Sequence, residues 1–567
     1  MQLTEEQKNI VAATGNLKIN AVAGSGKTTT VVEYARRQPA AARILYLAFN
    51  RTVKLEAQRK FAAAGVSNVQ VETAHSLAFG YVVKGSKYRL HKTGYRAYEL
   101  VELLELPKGT GAERNQEYVL ASHINKYVAY FCNMPARKVT DLDYLSTVAD
   151  AKAREFVREH LPTITTFTRQ MLAMMERAEI EITHDFYLKK FQLLEVQLPH
   201  HYILFDEGQD ASGVMLDVFL KQQATKILVG DAHQQIYGWR FAVNSLEKAD
   251  FAALQLSTSF RFGNSIAALA SRVLSWKTEL GETQPLQVLG ASRAPERSQT
   301  KAVIGRTNLA LLLKAIEYLT AHRNSLKALY FEGNINSYTY ADEGASLYDV
   351  LSLYNGRTEG IRDPLIRRMK SLDELSEYAE QTEDAQLLMM IQIVEEYGNQ
   401  VISLIEELKR RHVADGARDE AQLYFSTVHR CKGLEYDQVQ LTPDFITQSK
   451  LNKYIEQFEF EEPTATERGK VMEEINLLYV ALTRARHRLH LPVDSLPAGF
   501  VLGPEISLSY GTGGTVLLPS PTPAAAVDAP LGKTVVSSSP RQEIPAEQAL
   551  HARLAKLQER LDKDSLF

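Results

Sequence analysis

Short apolar runs recur along the chain, each ending at a turn or a polar residue: Leu17–Ala23, Arg43–Phe49, Val69–Ala74, His201–Asp206 and Lys226–Asp231. Runs of this length, bounded in this way, read as buried strands, and stretches such as Thr29–Arg36 between them carry helical spacing. That alternation predicts a mostly parallel sheet whose strand ends collect ligands. Between Gly80 and Pro199 the rhythm stops and only helical periodicity remains, as in "YVLASHINKYVAYF". A second strand-and-helix set starts at "AVIGRT" (Ala302–Thr307), continues through "ALYFEG" (Ala328–Gly333), and resumes with "QLYFSTVH" and "DQVQL" from Gln422. A further helical segment, clearest in "EDAQLLMMIQIVEEYGNQVISLIEELKRR", separates the two halves of that set.

The pattern therefore predicts an α/β chain with two parallel-sheet domains, each interrupted by a helical insertion. The expected boundaries are 1–83 and 198–270 for the first domain, with 84–197 inserted; 271–339 and 423–502 make the second, with 340–422 inserted. From Gly503 the composition turns to Gly, Pro, Ser, Thr and Ala, which buries too little apolar surface to order itself. A flexible tether over 503–545 is expected, then a helix and tip over 546–567, with Leu550, Leu554, Leu557 and Leu561 on one stripe.

Bulk properties narrow the function classes. A chain of 567 residues exceeds one hydrophobic core, so several folding units are expected. Its formal charge of -3 leaves any nucleic-acid surface to a local groove. Cys132 and Cys431 are the only cysteines, which excludes a disulfide framework and a cysteine-based zinc site. "MQLTEEQKNI" lacks the basic-then-apolar signature of a signal peptide, and no apolar run approaches the roughly 18 residues of a membrane span. The expected place is the cytoplasm, nucleoid-associated in a bacterium, with no membrane partner.

Chemistry enters with "INAVAGSGKTTTVVEYA", Ile19–Ala35. Strand, glycine-containing loop and helix follow in the order a phosphate-binding loop requires, although Ala21 stands where the usual pattern opens on glycine. Gly24 and Gly26 can turn successive N–H groups inward, and the helix start adds a positive dipole end. Lys27 would reach the β- and γ-phosphates of ATP, and the Thr28 hydroxyl would hold Mg²⁺. In "ILFDEGQD" an apolar strand ends in Asp206 and Glu207. One carboxylate there can hold Mg²⁺ through water while its neighbour orients and deprotonates the attacking water.

Six motifs, in order, then resemble superfamily 1 helicases of the UvrD/Rep type: "AVAGSGKT", "DEGQD", "VGDAHQQIYGWR", "STSFRF", "STVHRCKGLEYDQV" and "LLYVALTRAR". With the glutamine motif at Gln7 they span Gln7 to Arg486, and in that family the loop commonly begins with alanine. "VGDAHQQIYGWRFAVN", "STSFRFG" and "ITHDFYLKKFQL" are most similar to the F-box DNA helicase branch, although no stretch reads as an F-box, so the likeness covers the motor. The resemblance implies two RecA-like domains and an ATP- and Mg²⁺-dependent DNA helicase, moving 3′ to 5′ on single-stranded DNA, in repair or recombination. It implies a nucleotide cradle of Ala23, Gly24, Ser25, Gly26, Lys27, Thr28 and Thr29, with Gln7 reading adenine's edge and Phe260 stacking on the base. A helix-capping role for Gln7 and a core role for Phe260 are the plainer alternatives. Gln234 resembles the γ-phosphate sensor, and Glu435 the carboxylate that links nucleotide state to the second domain. Arg261 and Arg484 resemble arginines that reach the γ-phosphate from that domain, where a planar, permanently charged donor fork suits phosphoryl oxygens.

For the track, the resemblance places Phe49, Asn50, Thr73, His75, Tyr237, Trp239, Arg240, Asn308 and His429 on single-stranded DNA, with Trp239 the foremost stacking platform. Core packing is the alternative for Phe49, Tyr237, Trp239, His75 and His429. The substrates implied are single-stranded DNA and tailed duplex DNA; residues that stack bases and grip backbone leave DNA and RNA unseparated. A translocase that displaces proteins without separating strands, and a regulatory DNA-dependent ATPase, use the same motor residues. The tip "DKDSLF" reads either as a hydrophobic hook for a protein partner, a sliding clamp or another DNA-metabolism protein, or as the frayed end of a helix folded onto the motor. Gly208 in "DEGQD" stands where the family commonly carries a bulkier residue, and the insertion at 340–422 is short for it.

Overall fold

The computed structural model describes residues 3–107, 115–148, 150–238, 241–283, 285–292, 300–339, 345–382, 384–460 and 462–509. The chain divides into two compact units. The first comprises Met1–Ser292, Leu375–Asp384 and Leu451–Val480; the second comprises Arg293–Glu374, Ala385–Lys450 and Ala481–Phe567.

In the first unit six strands form one parallel sheet: β1 (Leu17–Ala21), β2 (Ile44–Ala48), β3 (Val69–Thr73), β4 (Tyr202–Phe205), β5 (Thr225–Gly230) and β6 (Ala252–Leu256), in the order β3-β2-β4-β5-β1-β6. Every residue of β2 is buried, as expected of a strand covered on both faces. Four helices alternate with the early strands: α1 (Glu5–Ala12), α2 (Lys27–Arg37), α3 (Arg51–Ala63) and α4 (Ala74–Val82). Ile10, Val31, Phe61 and Tyr46 join Ile19, Leu204 and Val229 in the core this makes. Starts are set by side chains that accept otherwise orphaned N–H groups. Asn50 Oδ1 accepts from Val53 N at 2.9 Å and Thr73 Oγ1 from Ser76 N at 3.0 Å. Between α4 and β4 the chain is helical, with Gln116–Asn133, Ala151–Arg177 and His184–Leu193 the longest pieces. Thr258–Ser259 (β7) and Leu289–Gly290 (β8) form a small parallel pair.

The second unit holds another six-stranded parallel sheet: β9 (Lys301–Gly305), β10 (Leu329–Phe331), β11 (Leu423–Thr427), β12 (Tyr436–Leu441), β13 (Ala485–Pro492) and β14 (Ile506–Ser509), in the order β10-β11-β9-β12-β13-β14. The chain is thus α/β with two RecA-like sheets.

Two expectations need correction. The tether does not begin at Gly503, because Ile506 is buried and β14 pairs in parallel with β13, Leu489 opposite Ile506. The alternation in "EISLSY" supplies one inward apolar residue and an edge strand, which the surrounding composition masks. Residues 510–567, with the leucine stripe and the tip, lie outside the described residues. The second correction concerns membership. Leu375–Asp384, expected within 340–422, and Leu451–Val480, expected within 423–502, cluster with the first unit. Polar contacts are among their anchors: His123 Nε2 lies 3.1 Å from Gln381 O, Lys152 pairs with Glu380 at 2.6 Å, and Asn476 Nδ2 donates to Gln235 O at 2.8 Å. Hydrophobic periodicity shows that such a segment is buried, not which unit it is buried against.

Candidate nucleotide site and nucleic-acid surface

Strand order creates the site. β4, β5 and β1 are adjacent and parallel, so the residues after each of them emerge at one edge: Asp206 and Glu207, then Asp231 to Gln234, then the Ala23–Thr28 loop. The loop turns at Gly24, with φ +74°, and Gly26, with φ +79°, caps α2 at Lys27. A Cβ on Gly24 would stand 2.6 Å from Arg261 Cβ and 2.8 Å from Ser259 Oγ. Only glycine allows this approach, and Phe260 N seals it by donating to Gly24 O at 2.9 Å. Ser25 Oγ is buried without a hydrogen-bond partner among the described residues. An inward-turned loop, an orphaned hydroxyl and a helix start are what a polyphosphate would satisfy. The residues present therefore fit ATP, with Lys27 for the phosphates and Thr28 and Asp206 as the pair that would hold Mg²⁺.

Asp206 is fixed from two sides. Its Oδ1 accepts from Glu207 N at 2.9 Å, and its Oδ2 accepts a short hydrogen bond from the Tyr46 hydroxyl on β2. Burial, then the neighbouring Glu207 charge, push its carboxyl up to about 6, against the pull of Tyr46 and Lys27. Burial, with Asp206 beside it, drives the Tyr46 phenol far up, so it stays a donor. Glu207 adopts φ +54°, a backbone state that L residues rarely occupy and that costs about 1–3 kcal/mol. Gln209 Nε2 donates to Glu207 Oε2 at 2.6 Å and so aims its carboxylate. Gly208 has a physical account here. A Cβ on it would meet Leu228 Cδ1 at 2.5 Å, so glycine lets this turn settle on β5.

Gln234 Nε2 donates to Asp231 Oδ2 at 2.7 Å. Behind it Lys277 Nζ lies 3.1 Å from His233 Nδ1. Burial pushes Lys277 down to about 8 against the attraction of Asp231, Glu282 and Glu247. Burial, then Lys277, hold His233 well below the usual imidazole range, so the ring is neutral and accepts. Gln7 takes the helix-capping role, completing a capping box with Thr4 on α1, and its Nε2 also reaches Ser25 O in the phosphate loop at 3.5 Å. Phe260 is 43% exposed, which rules out the core alternative. Thr29 lies half-buried in the first turn of α2. Arg261 belongs to the first unit, packed against the loop, and not to the second as its motif suggested.

Of the expected strand contacts, Phe49 and Tyr237 come together with ring centroids 5.7 Å apart and planes at 21°. Asn50 and Thr73 cap α3 and α4, and His75, one-third exposed, lies 4.0 Å from Asp185. Trp239 and Arg240 lie outside the described residues. In the second unit Asn308 Oδ1 is buried without a partner among the described residues, and His429 is half-buried on the short helix after β11. Arg484 is 1% exposed, its guanidinium donating to Leu434 O at 3.2 Å and Thr483 Oγ1 at 3.1 Å. Glu435 is held by Arg486, whose Nε donates to Oε1 at 3.0 Å.

Comparison with known proteins settles the family. The UvrD/REP helicase N-terminal domain matches residues 3–250, and the UvrD-like helicase C-terminal domain matches residues 296–495. The chain belongs to the UvrD/REP helicase family. It is 30% identical over 518 residues to F-box DNA helicase 1 of Gallus gallus, covering 86% of this chain and 48% of that one. With F-box DNA helicase protein 1 of Schizosaccharomyces pombe it shares 28% over 533 residues, covering 86% and 57%. The chain thus spans about half the length of these relatives. A solved arterivirus nonstructural protein 10 helicase aligns over 86% of this chain and 61% of its own at 11% identity and a TM-score of 0.27, too slight a likeness to bear on the fold.

Three residues of this UvrD/REP site escaped sequence reading: Tyr46, Gln209 and Tyr479. Each acts by holding another side chain. The one available signal was a tyrosine in the middle of the apolar run "RILYLAF".

Proposed function

We propose that this chain is the motor of an ATP-driven DNA helicase that moves 3′ to 5′ along single-stranded DNA, in DNA repair or recombination. The observation that carries the reading is the meeting of the Gly24–Thr28 loop, Asp206, Glu207 and Gln234 at neighbouring ends of β1, β4 and β5. Lys27 and the loop N–H groups bind phosphoryl oxygens; Glu207, aimed by Gln209, takes the proton of the attacking water; Gln234, held by Asp231, registers the terminal phosphate. Mg²⁺, when bound, supplies positive charge to the phosphoryl oxygens. Arg484 keeps the phosphate-directed role that its motif implies, and Glu435 that of relay. Stacked Phe49 and Tyr237 offer aromatic faces to bases, beside the polar groups of Asn50, Thr73 and His75.

The test is strand separation on DNA and RNA duplexes bearing 3′ or 5′ tails, with ATP turnover followed in parallel. ATP-dependent separation of the 3′-tailed DNA duplex is expected. Separation of only the 5′-tailed duplex would overturn the polarity, preference for RNA the substrate, and turnover without separation the helicase.

A further inference from the structure

Tyr479 stands on the helix Ala465–Leu482, nearly 250 positions beyond β5, yet it is completely buried and its hydroxyl lies within the nucleotide site. The oxygen accepts from Ala23 N, in the phosphate loop, at 3.3 Å and donates to Asp231 Oδ2 at 3.0 Å. Asp231, 1% exposed, receives Gln234 Nε2 on the same oxygen at 2.7 Å and His233 N on the other at 3.0 Å. Its own N–H donates to Gln209 Oε1 at 3.0 Å, and Gln209 holds Glu207. One buried chain of hydrogen bonds therefore runs from Glu207 through Gln209 and Asp231 to Gln234, and through Tyr479 to the loop. The helix bearing Tyr479 is itself pinned over this segment by Asn476 on Gln235 O and by Glu473, which accepts from Gly238 N at 3.2 Å.

We infer that Tyr479 is a positioning residue for ATP turnover: its hydroxyl fixes the Asp231 carboxylate that orients Gln234 and braces the phosphate loop at Ala23. A ring would suffice to fill the space. A hydroxyl placed between a backbone donor and a buried carboxylate does more, because its removal takes a donor from Asp231 and an acceptor from Ala23 N, both buried from bulk solvent. Asp231 then holds Gln234 less firmly, and the site loses its response to the terminal phosphate before it loses its grip on the rest of the nucleotide.

The inference rests on the ATPase reading above, and one experiment separates the two. Wild type, Tyr479→Phe and, as a control, Tyr34→Phe are compared for DNA-stimulated kcat, for affinity toward ADP and a non-hydrolysable ATP analogue, and for thermal midpoint. Tyr34 is an equally buried tyrosine on α2 whose change should be silent. Tyr479→Phe should lower kcat about tenfold or more, as expected for a lost hydrogen bond to a charged group. The preference for the ATP analogue over ADP should fall several-fold while ADP affinity holds within about twofold. In the double variant with Gln234→Ala the effects on that preference should not add, since Tyr479 acts through Gln234. An unchanged kcat and preference, or both affinities falling together with the thermal midpoint, would overturn the inference. A wild type without ATPase activity would instead refute the ATPase reading. Should Tyr479→Phe fail to fold, Asp231→Asn reads the same preference, and a native value there overturns the inference equally.

Discussion

Gly24→Ala puts a single methyl group where the phosphate loop meets the segment after β6, and the structure fixes its cost. Alanine at φ +74° pays the left-handed penalty of about 1–2 kcal/mol. Its Cβ would also sit 2.6 Å from Arg261 Cβ and 2.8 Å from Ser259 Oγ. Arg261 Cβ is bonded directly to backbone, and Ser259 Oγ is held by accepting from Arg261 N at 3.3 Å, so backbone must shift, at the roughly 1–3 kcal/mol typical of overpacking. The expected loss is about 2–5 kcal/mol in total. Gly85→Ala is the matched comparison, with φ +78° and nothing within 4 Å of the added atom; it carries the backbone penalty alone. Urea unfolding of both variants reads the difference, and ADP binding reads its location. Gly24→Ala should also weaken ADP binding, because the bond from Phe260 N to Gly24 O anchors the loop, whereas Gly85→Ala should bind ADP normally. Equal destabilisation of the two variants, within about 0.5 kcal/mol, would refute the close-approach argument.

Glu207→Gln keeps shape but cannot accept the proton, so single-turnover hydrolysis should fall by at least about 10² while ATP affinity, read by equilibrium binding, stays near wild type. Tyr46→Phe removes a donor from Asp206 and should raise the Mg²⁺ concentration needed for half-maximal nucleotide binding by roughly tenfold, seen in a fluorescent-nucleotide titration over Mg²⁺. For Lys277 the sign follows from a folded-state value pushed down to about 8. Between about 8 and the ordinary 10.4 the unfolded chain binds a proton that the folded chain does not, so stability from this group rises with pH across that window, by on the order of 3 kcal/mol. Lys277→Met should flatten the wild-type rise when urea unfolding is compared at pH 8 and pH 10; parallel profiles would show that Lys277 is not the group responsible.

Those predictions draw on two kinds of residue, and only one kind was legible in the sequence. The central strands of both sheets announce themselves because a strand buried on both faces must be largely apolar, as "ILYLA" and the "LYF" that opens "LYFST" are. β6 passed unnoticed because "AALQL" is largely exposed at a sheet edge, and β14 because one inward isoleucine amid Gly, Pro and Ser carries little pattern. Lys27, Asp206 and Glu207 were readable since the groups that would act on ATP sit on the turns after β1 and β4. Tyr46, Gln209 and Tyr479 were not, because residues that orient others are defined by a partner far along the chain. Gly208 was conspicuous but mute until Leu228 appeared beneath it.

The division of the chain also sets a timetable for synthesis. The first unit is not finished when the ribosome passes Ser292, for it still lacks Leu375–Asp384 and the stretch Leu451–Val480. Roughly 190 further residues must be made before the last of these arrives, about 10–40 s at ordinary elongation rates. Until then the loop at Ala23 and the Asp231 carboxylate wait for the hydroxyl of Tyr479. A chain cut off after Ser292 would keep its phosphate loop and both acidic residues yet never receive that clamp, so on the proposed role of Tyr479 a prematurely ended polypeptide should turn over ATP poorly.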